Sequence, residues 1–311
     1  MKILITGSNG FVGRNLVNYI TDVMPDSTLL TPSKEVLNLV DKDSTNDYLE
    51  LHQPDVVLHL AGRVGGILDN KTYPADFYFQ NTMMTTLLMD LSYRHKVKRF
   101  VGLAAGCGYP DLENYDIDVP LREDQFFDGF PDMNSYGYSM AKKNMIVQSM
   151  AYREQFGFNS TVLLPANLYG PHDNFDLVSS HVVPALVRKF VEAVKDESDV
   201  VEVWGDGSAS REFIYVEDVC KAIVDVANEY DKTGPLNLGT GVETTISSLV
   251  ETIINVTGYK GTVKINSNRP TGQPRRVYNM DKFKNAIGSV PSISLEEGIS
   301  KTVTWYKENI L

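Results

Sequence analysis

The stretch "KILITGSNGFVG", residues 2 to 13, constrains the fold more than any other part of the chain. A short apolar strand runs into Gly7, Gly10 and Gly13, and the amphipathic run "FVGRNLVNYITDV" follows at once. A glycine turn between a strand and a helix lets backbone N–H groups approach a pyrophosphate, and the helix N-terminus adds partial positive charge. The spacing is GxxGxxG rather than GxGxxG, and any tight turn can need glycines. The strand before and the helix after make a dinucleotide the better reading, held by Gly7, Gly10, Phe11, Val12 and Gly13.

The pattern then repeats. "STLLT", "DVVLHLA" and "RFVGLAA" read as buried strands, and "ADFYFQNTMMTTLLMDLSYRH" reads as a long helix between the last two. Strands apolar on both faces, alternating with helices, imply an α/β fold: a Rossmann-type parallel sheet with helices on both faces. After about residue 170 the pattern is less regular and suggests a smaller C-terminal α/β lobe that binds substrate. The expected division is 1–170 for the dinucleotide-binding domain and 171–311 for what is mainly a second lobe, interleaved with it. The formal net charge of -11 speaks against a general nucleic-acid or anionic-membrane surface. No apolar run reaches the ~20 residues of a membrane span, and "MKILITG" lacks the pattern of a signal peptide. With two cysteines far apart, a reducing, cytoplasmic setting is expected. No metal-ligand spacing is found.

The end of the second strand bears on the choice of dinucleotide. An NAD site usually has an acid there for the ribose 2′-hydroxyl. Here "LLTPSKE" offers Thr31, Ser33 and Lys34, and Arg14 follows the third glycine. A cation with hydroxyls suits a 2′-phosphate and favours NADP; the alternative is that Lys34 and Arg14 are ordinary solvated charges.

"NSYGYSMAKKN" puts Tyr138 and Lys142 one helical turn apart on the same face. A free tyrosine titrates near ~10. A neighbouring ammonium favours the phenolate, so Lys142 is expected to draw Tyr138 toward neutral pH. Cys107, at the end of "RFVGLAAGCGYP", has two readings: a small buried residue, or a reactive thiol at the functional edge of the sheet. His181, before the helix "VVPALVRKFVEAVK", is either a cap or a group reaching in from the second lobe. The other histidines and Cys220 read as structural.

Taken together, "GSNGFVG", "LAG" (Leu60, Ala61, Gly62), Asn81 and "YSMAK" resemble the extended short-chain dehydrogenase/reductase family. Within it, "RVGGILDNKTYPADFYFQN", "GCGYP", "PANLYGPHDNF", "SHVVPALVRKF", "WGDGSASREFIYVEDV" and "GQPRR" resemble the GDP-L-fucose synthases, in order from residue 1 to about 280. The resemblance implies an NADPH-dependent 3,5-epimerase-4-reductase acting on GDP-4-keto-6-deoxy-D-mannose. Cys107 would be the base and His181 the acid of epimerisation; Tyr138 would protonate the reduced oxygen, supported by Lys142. It also implies cofactor contacts at Pro165, Asn167, Leu168 and His181, and nucleotide-sugar contacts at Asn167, Lys189, Trp204, Arg211 and Arg276. A homodimer through the helices flanking the sheet would follow.

Two positions depart from the family's pattern. Ala105 stands where a Ser or Thr usually shares the keto oxygen with the tyrosine, and Thr271 stands where an aspartate is common. Losing a preorganised donor to a developing oxyanion can cost a factor of ~100 in rate. Water or another hydroxyl, such as that of Ser139, could replace it. The alternatives are a C4 reductase of a related GDP-4-keto-deoxy sugar or heptose that does not epimerise, or a weakly catalytic sugar-nucleotide-binding homologue.

Overall fold

The first half of the chain lays down β1 (Lys2–Thr6), α1 (Phe11–Val23), β2 (Thr28–Leu30), α2 (Lys42–His52), β3 (Val56–His59), α3 (Ile67–Thr72), α4 (Pro74–Arg94), β4 (Arg99–Leu103), α5 (Tyr136–Phe156) and β5 (Ser160–Pro165). The computed structural model describes residues 1–177, 179–266 and 274–311, so Thr271 lies outside the described residues. The second half continues with β6 (Asn167–Tyr169), α6 (Val182–Lys195), β7 (Val200–Trp204), β8 (Ser210–Arg211), β9 (Phe213–Tyr215) and α7 (Val216–Glu229). Then come β10 (Leu236–Leu238), β11 (Thr244–Thr245), α8 (Ile246–Thr257), β12 (Thr262–Asn266), α9 (Asp281–Ile287) and α10 (Leu295–Asn309).

Six strands form one parallel sheet in the order β10-β5-β4-β3-β1-β2. The strands β3, β4 and β5 are buried along their whole length, as "VVLH" and "STVLLP" require. Parallel strands need helical crossovers, and these cover both faces. The first helix leaves β1 through the glycine turn. Gly7 has φ +74, which favours glycine, and a Cβ there would press on the Ala61 backbone at 2.7 Å. A Cβ at Gly13 would collide with the Gly7 carbonyl, so the third glycine lets α1 sit tight on the turn.

The order reverses between β1 and β3, which is where such a sheet opens a crevice at its strand ends. Long helices α4 and α5 pack side by side on one face, and α1 packs with α7 on the other. One apolar core runs from Ile3 through Leu58, Phe100 and Leu164 to Ile223, Leu238 and Phe283. A second core joins α6, α8 and α10, with Val187, Phe190, Ile253 and Tyr306 at its centre. Each fully buried aliphatic or aromatic side chain in them contributes roughly 1.5–3 kcal/mol relative to exposure.

The chain passes between these cores more than once. After the first stretch of the second lobe, α7 and β10 return to the large sheet, where Leu236–Leu238 becomes its edge strand beside β5. Among the described residues, second-lobe strands pair two at a time: β12 with β7, β11 with β8, and β6 with β9. Its helices carry local signals instead. Thr245 caps α8 by accepting from the Ser248 N–H, and Ser294 caps α10 through the Glu297 N–H.

Candidate active site

Beside the glycine turn lies a cleft of about 270 Å³ lined by Ser8, Asn9, Arg14, Val17, Asn18, Thr31 and His172. None of these is acidic. The Ser8 hydroxyl is buried and makes no hydrogen bond, which leaves a donor available at the turn. The Arg14 Nε donates to the Asn9 carbonyl at 3.0 Å. Burial, and next the charge of Arg14, hold the His172 imidazole below its ordinary value. His172, structural by its sequence, shares this corner with Arg14 as a neutral imidazole. Ser33 and Lys34 lie on the turn after β2, outside this lining; Ser33 hydrogen-bonds Glu35, and Lys34 is exposed. Phe11 and Val12 open α1 and pack against the main core, as do Leu60 and Ala61. These features fit a dinucleotide: a glycine cradle, a free buried hydroxyl, and a cation where the adenosine ribose would lie.

The strand ends carry the reactive groups. Lys142 is buried, and its Nζ donates to the Leu103 carbonyl at the end of β4, 2.9 Å away. Nζ also stands 5.6 Å from the centre of the Tyr138 ring, whose other side meets the Phe77 edge. Asn81 fixes the loop opposite: its Oδ1 accepts from the Arg63 N–H at 3.0 Å and its Nδ2 donates to the Arg63 carbonyl at 3.1 Å. That holds Gly62 beside Lys142, where a Cβ would lie 3.6 Å from Nζ.

Here the structure departs from expectation. Burial raises Tyr138 well above its ordinary value, and the charge of Cys107 acts in the same direction. Lys142, expected to lower it, is itself pulled down by burial to about 8. The reason is desolvation: both groups sit in protein, which disfavours the charged form of each. Tyr138 therefore stands as a neutral phenol, a proton donor.

Cys107 occupies the short turn Gly106–Gly108 after β4, part-exposed, while Cys220 is buried in α7 with its thiol pushed up to about 12. The turn lies against α5. The Ser139 Oγ is within 3.0 Å of the Cys107 carbonyl and 3.3 Å of its Sγ. Ser139 is fully buried, and its hydroxyl is engaged by Cys107 and Ser135. From the far side, Tyr278 closes over Gly106, where a Cβ would collide with the tyrosine oxygen, and donates to the Pro165 carbonyl at 3.2 Å.

His181 is the N-cap residue of α6, open to solvent yet walled in enough that desolvation holds its imidazole below the ordinary value. Asn167 and Leu168 begin β6 directly after β5, and the Asn167 N–H bonds the Glu212 carbonyl. Further out, the Lys189 Nζ donates to the Glu202 carbonyl and sits 5.3 Å from the Trp204 ring, which is half exposed. Arg211 and Arg276 meet around Ser210: the Arg211 guanidinium and the Arg276 N–H both bond the Ser210 carbonyl. Burial and the charge of Arg276 pull Arg211 down to about 10. Two guanidinium groups held together against their repulsion suit a phosphate or diphosphate.

Glu212, unremarkable in the sequence, holds this wall in place. Its buried carboxylate accepts the backbone N–H groups of Thr240, Gly241 and Tyr278. Only a tertiary contact could have revealed it. The seryl and asparaginyl residues inside "GSNG" were the signal for Ser8 and Asn9.

A parallel sheet with a glycine cradle at its switch point, and a Tyr–Lys pair facing a thiol at its strand ends, defines a nicotinamide-dependent sugar-modifying enzyme of the Rossmann class. The sequence profile of the NAD dependent epimerase/dehydratase family matches residues 3–239. The chain belongs to that family, among the extended short-chain dehydrogenases/reductases. It is 35% identical to the GDP-L-fucose synthase of Escherichia coli K12, over 99% of this chain and 97% of that protein. Among solved structures it resembles a GDP-L-fucose synthetase from Naegleria fowleri bound to NADP, with a TM-score of 0.91, 26% identity, and coverage of 99% of this chain and 93% of that one. It also resembles a GDP-6-OMe-4-keto-L-xylo-heptose reductase from C. jejuni, with a TM-score of 0.90, 26% identity, and coverage of 99% and 97%.

Proposed function

We propose that the chain is an NADP-dependent epimerase-reductase that converts GDP-4-keto-6-deoxy-D-mannose to GDP-L-fucose, inverting C3 and C5 before reducing C4. The observation that carries the reading is the convergence of Cys107, Tyr138 and Lys142 at the strand ends; His181, at the start of α6 in the other lobe, is assigned the acid by resemblance.

The 4-keto group acidifies the protons on its neighbouring carbons. Inversion needs one group to take such a proton and another to return one on the opposite face. Cys107 takes the proton, and His181, from the second lobe, returns one on the opposite face. Bound NADPH supplies the hydride for C4. Tyr138, kept neutral by burial, gives its proton to the C4 oxygen, and Lys142 stabilises the phenolate that forms. Ser8, Arg14 and His172 would hold the adenosine ribose and its 2′-phosphate beside Gly7–Gly13. Arg211 and Arg276 hold the diphosphate, with Lys189 and Trp204 toward the nucleoside. Exposed apolar side chains on α4 and α5, among them Tyr78, Phe79, Val147 and Met150, support a homodimer, and two free cysteines fit a reducing cytoplasm.

The test is incubation with NADPH and GDP-4-keto-6-deoxymannose in D₂O. Loss of the reduced-nicotinamide absorbance and a product carrying deuterium at both C3 and C5 are expected. Nicotinamide oxidation without deuterium would establish the second reading, a C4 reductase of a related GDP-4-keto sugar. That reading is favoured by Ala105, which leaves the ketone one donor short, and by the likeness to the heptose reductase.

A further inference from the structure

We propose that Ser139 is a positioning residue for Cys107: its hydroxyl anchors the sulfur at the strand end and reverses its hydrogen bonding as the thiol loses and regains a proton. This rests on the reading of Cys107 as the base.

The geometry is specific to this pair. The Ser139 Oγ lies 3.3 Å from the Cys107 Sγ, 3.0 Å from the Cys107 carbonyl oxygen and 3.3 Å from the Ser135 Oγ. It is fully buried, on the first turn of α5, so no solvent competes for it. A hydroxyl has one proton and two lone pairs. Beside a thiolate, its O–H points at Sγ, replacing a hydrogen bond that the thiolate would otherwise draw from water. When the sulfur takes a proton from carbon, the C–H bond breaks, the S–H bond forms, and the electron pair passes into the enolate of the ketone. The new S–H then donates to the Ser139 Oγ, whose own proton swings to the Cys107 carbonyl. Both acceptors lie within reach of one oxygen, so the reversal needs rotation about a single C–O bond and no shift of heavy atoms.

Tyr138 and Lys142 from α5 and Tyr278 from the C-terminal segment also interact with Cys107. Of these, Lys142 is the only cation. One of its three N–H donors is taken by the Leu103 carbonyl. Ser139 is thus the neutral donor bonded to both ends of the cysteine, its backbone and its sulfur. The hydroxyl absent from position 105 served a ketone; the one at 139 serves the base.

The experiment compares the full-length protein with Ser139→Ala and Ser139→Thr. Cys107 is alkylated with iodoacetamide across pH, and the site is followed by peptide mass spectrometry, with no sugar present. Ser139→Ala should shift the midpoint of the alkylation profile upward by about one pH unit, as expected on losing a donor to the charged form. Ser139→Thr, which keeps the hydroxyl, should restore it. In D₂O with substrate, Ser139→Ala should slow deuterium entry roughly ten-fold at unchanged KM, the loss appearing in kcat. Identical alkylation profiles in the wild type and Ser139→Ala overturn the proposal. Should Ser139→Ala fail to fold, Ser139→Cys has a similar size and a weaker donor, and its profile is read in the same way. A shifted midpoint in a protein that never incorporates deuterium would leave Ser139 in place and overturn the epimerase reading instead.

Discussion

The two walls of the crevice are built on different principles. On the sheet side, Lys142, Ser139 and Asn81 are buried, and each is held by hydrogen bonds to backbone groups of neighbouring elements. On the second-lobe side, Trp204 is half exposed, His181 opens to solvent, and the supporting sheets are only two strands wide. The difference separates tasks. Reduction of C4 demands side chains fixed in low dielectric, whereas a nucleotide can be held by a few cations and a flat ring at the surface, on the wall that also carries His181.

The sharpest break of this contrast is Tyr138→Phe. If Tyr138 is the acid on the rigid wall, nicotinamide oxidation should fall by roughly 10²–10⁴-fold, while deuterium still enters C3 and C5. The fold should survive, because the ring keeps its edge contact with Phe77. Equal loss of both reactions would mean that Tyr138 serves the epimerising base as well as the reduction.

Next is the cost of burying Lys142. Its ammonium titrates at about 8 in the folded protein against an ordinary 10.5. Between those values the unfolded chain binds more protons, so stability from this group rises with pH and is complete above 10.5. Over that window, wild-type stability relative to Lys142→Met should climb by about 3 kcal/mol in urea unfolding. A flat difference would show that Lys142 is not desolvated.

On the opposite wall, Arg211→Ala should weaken GDP binding by roughly 10–100-fold in calorimetry, matching one or two lost charge-assisted hydrogen bonds. The same change relieves repulsion with Arg276, so thermal stability should hold or rise. A fall in both would show Arg211 to be a structural member of the second lobe.

The smallest effect expected is at Ala105. Restoring a hydroxyl with Ala105→Ser should raise kcat about ten-fold on a 4-keto-6-deoxy sugar, if the rigid wall is one donor short. An unchanged rate would mean that the pocket is already complete.

How much of this was legible in the sequence follows the same division. Gly7, Gly10 and Gly13, and Tyr138 with Lys142, announce themselves because local spacing alone fixes their relation: a turn in one case, one helical turn in the other. The partners of those groups do not. Lys142 reaches the Leu103 carbonyl, Tyr278 shields Gly106, and Glu212 gathers the N–H groups of Thr240, Gly241 and Tyr278. Each joins stretches far apart in the chain, where no periodicity links them. The raised pKa of Tyr138 was missed for a related reason. Spacing shows that an ammonium is near, but only packing shows how dry the place is. On the cofactor side, Lys34 and Ser33 match the pattern by position, yet the cleft is lined by Ser8, Asn9, Thr31 and His172.

The return of Leu236–Leu238 to the edge of the large sheet has a consequence for how such proteins can change. Because that strand follows the first part of the second lobe in the chain, a single cut cannot separate the two halves, and swapping one for a homologous piece would strip the sheet of its border. New sugar preferences in this architecture must therefore accumulate by individual replacements around the crevice, not by exchange of whole modules.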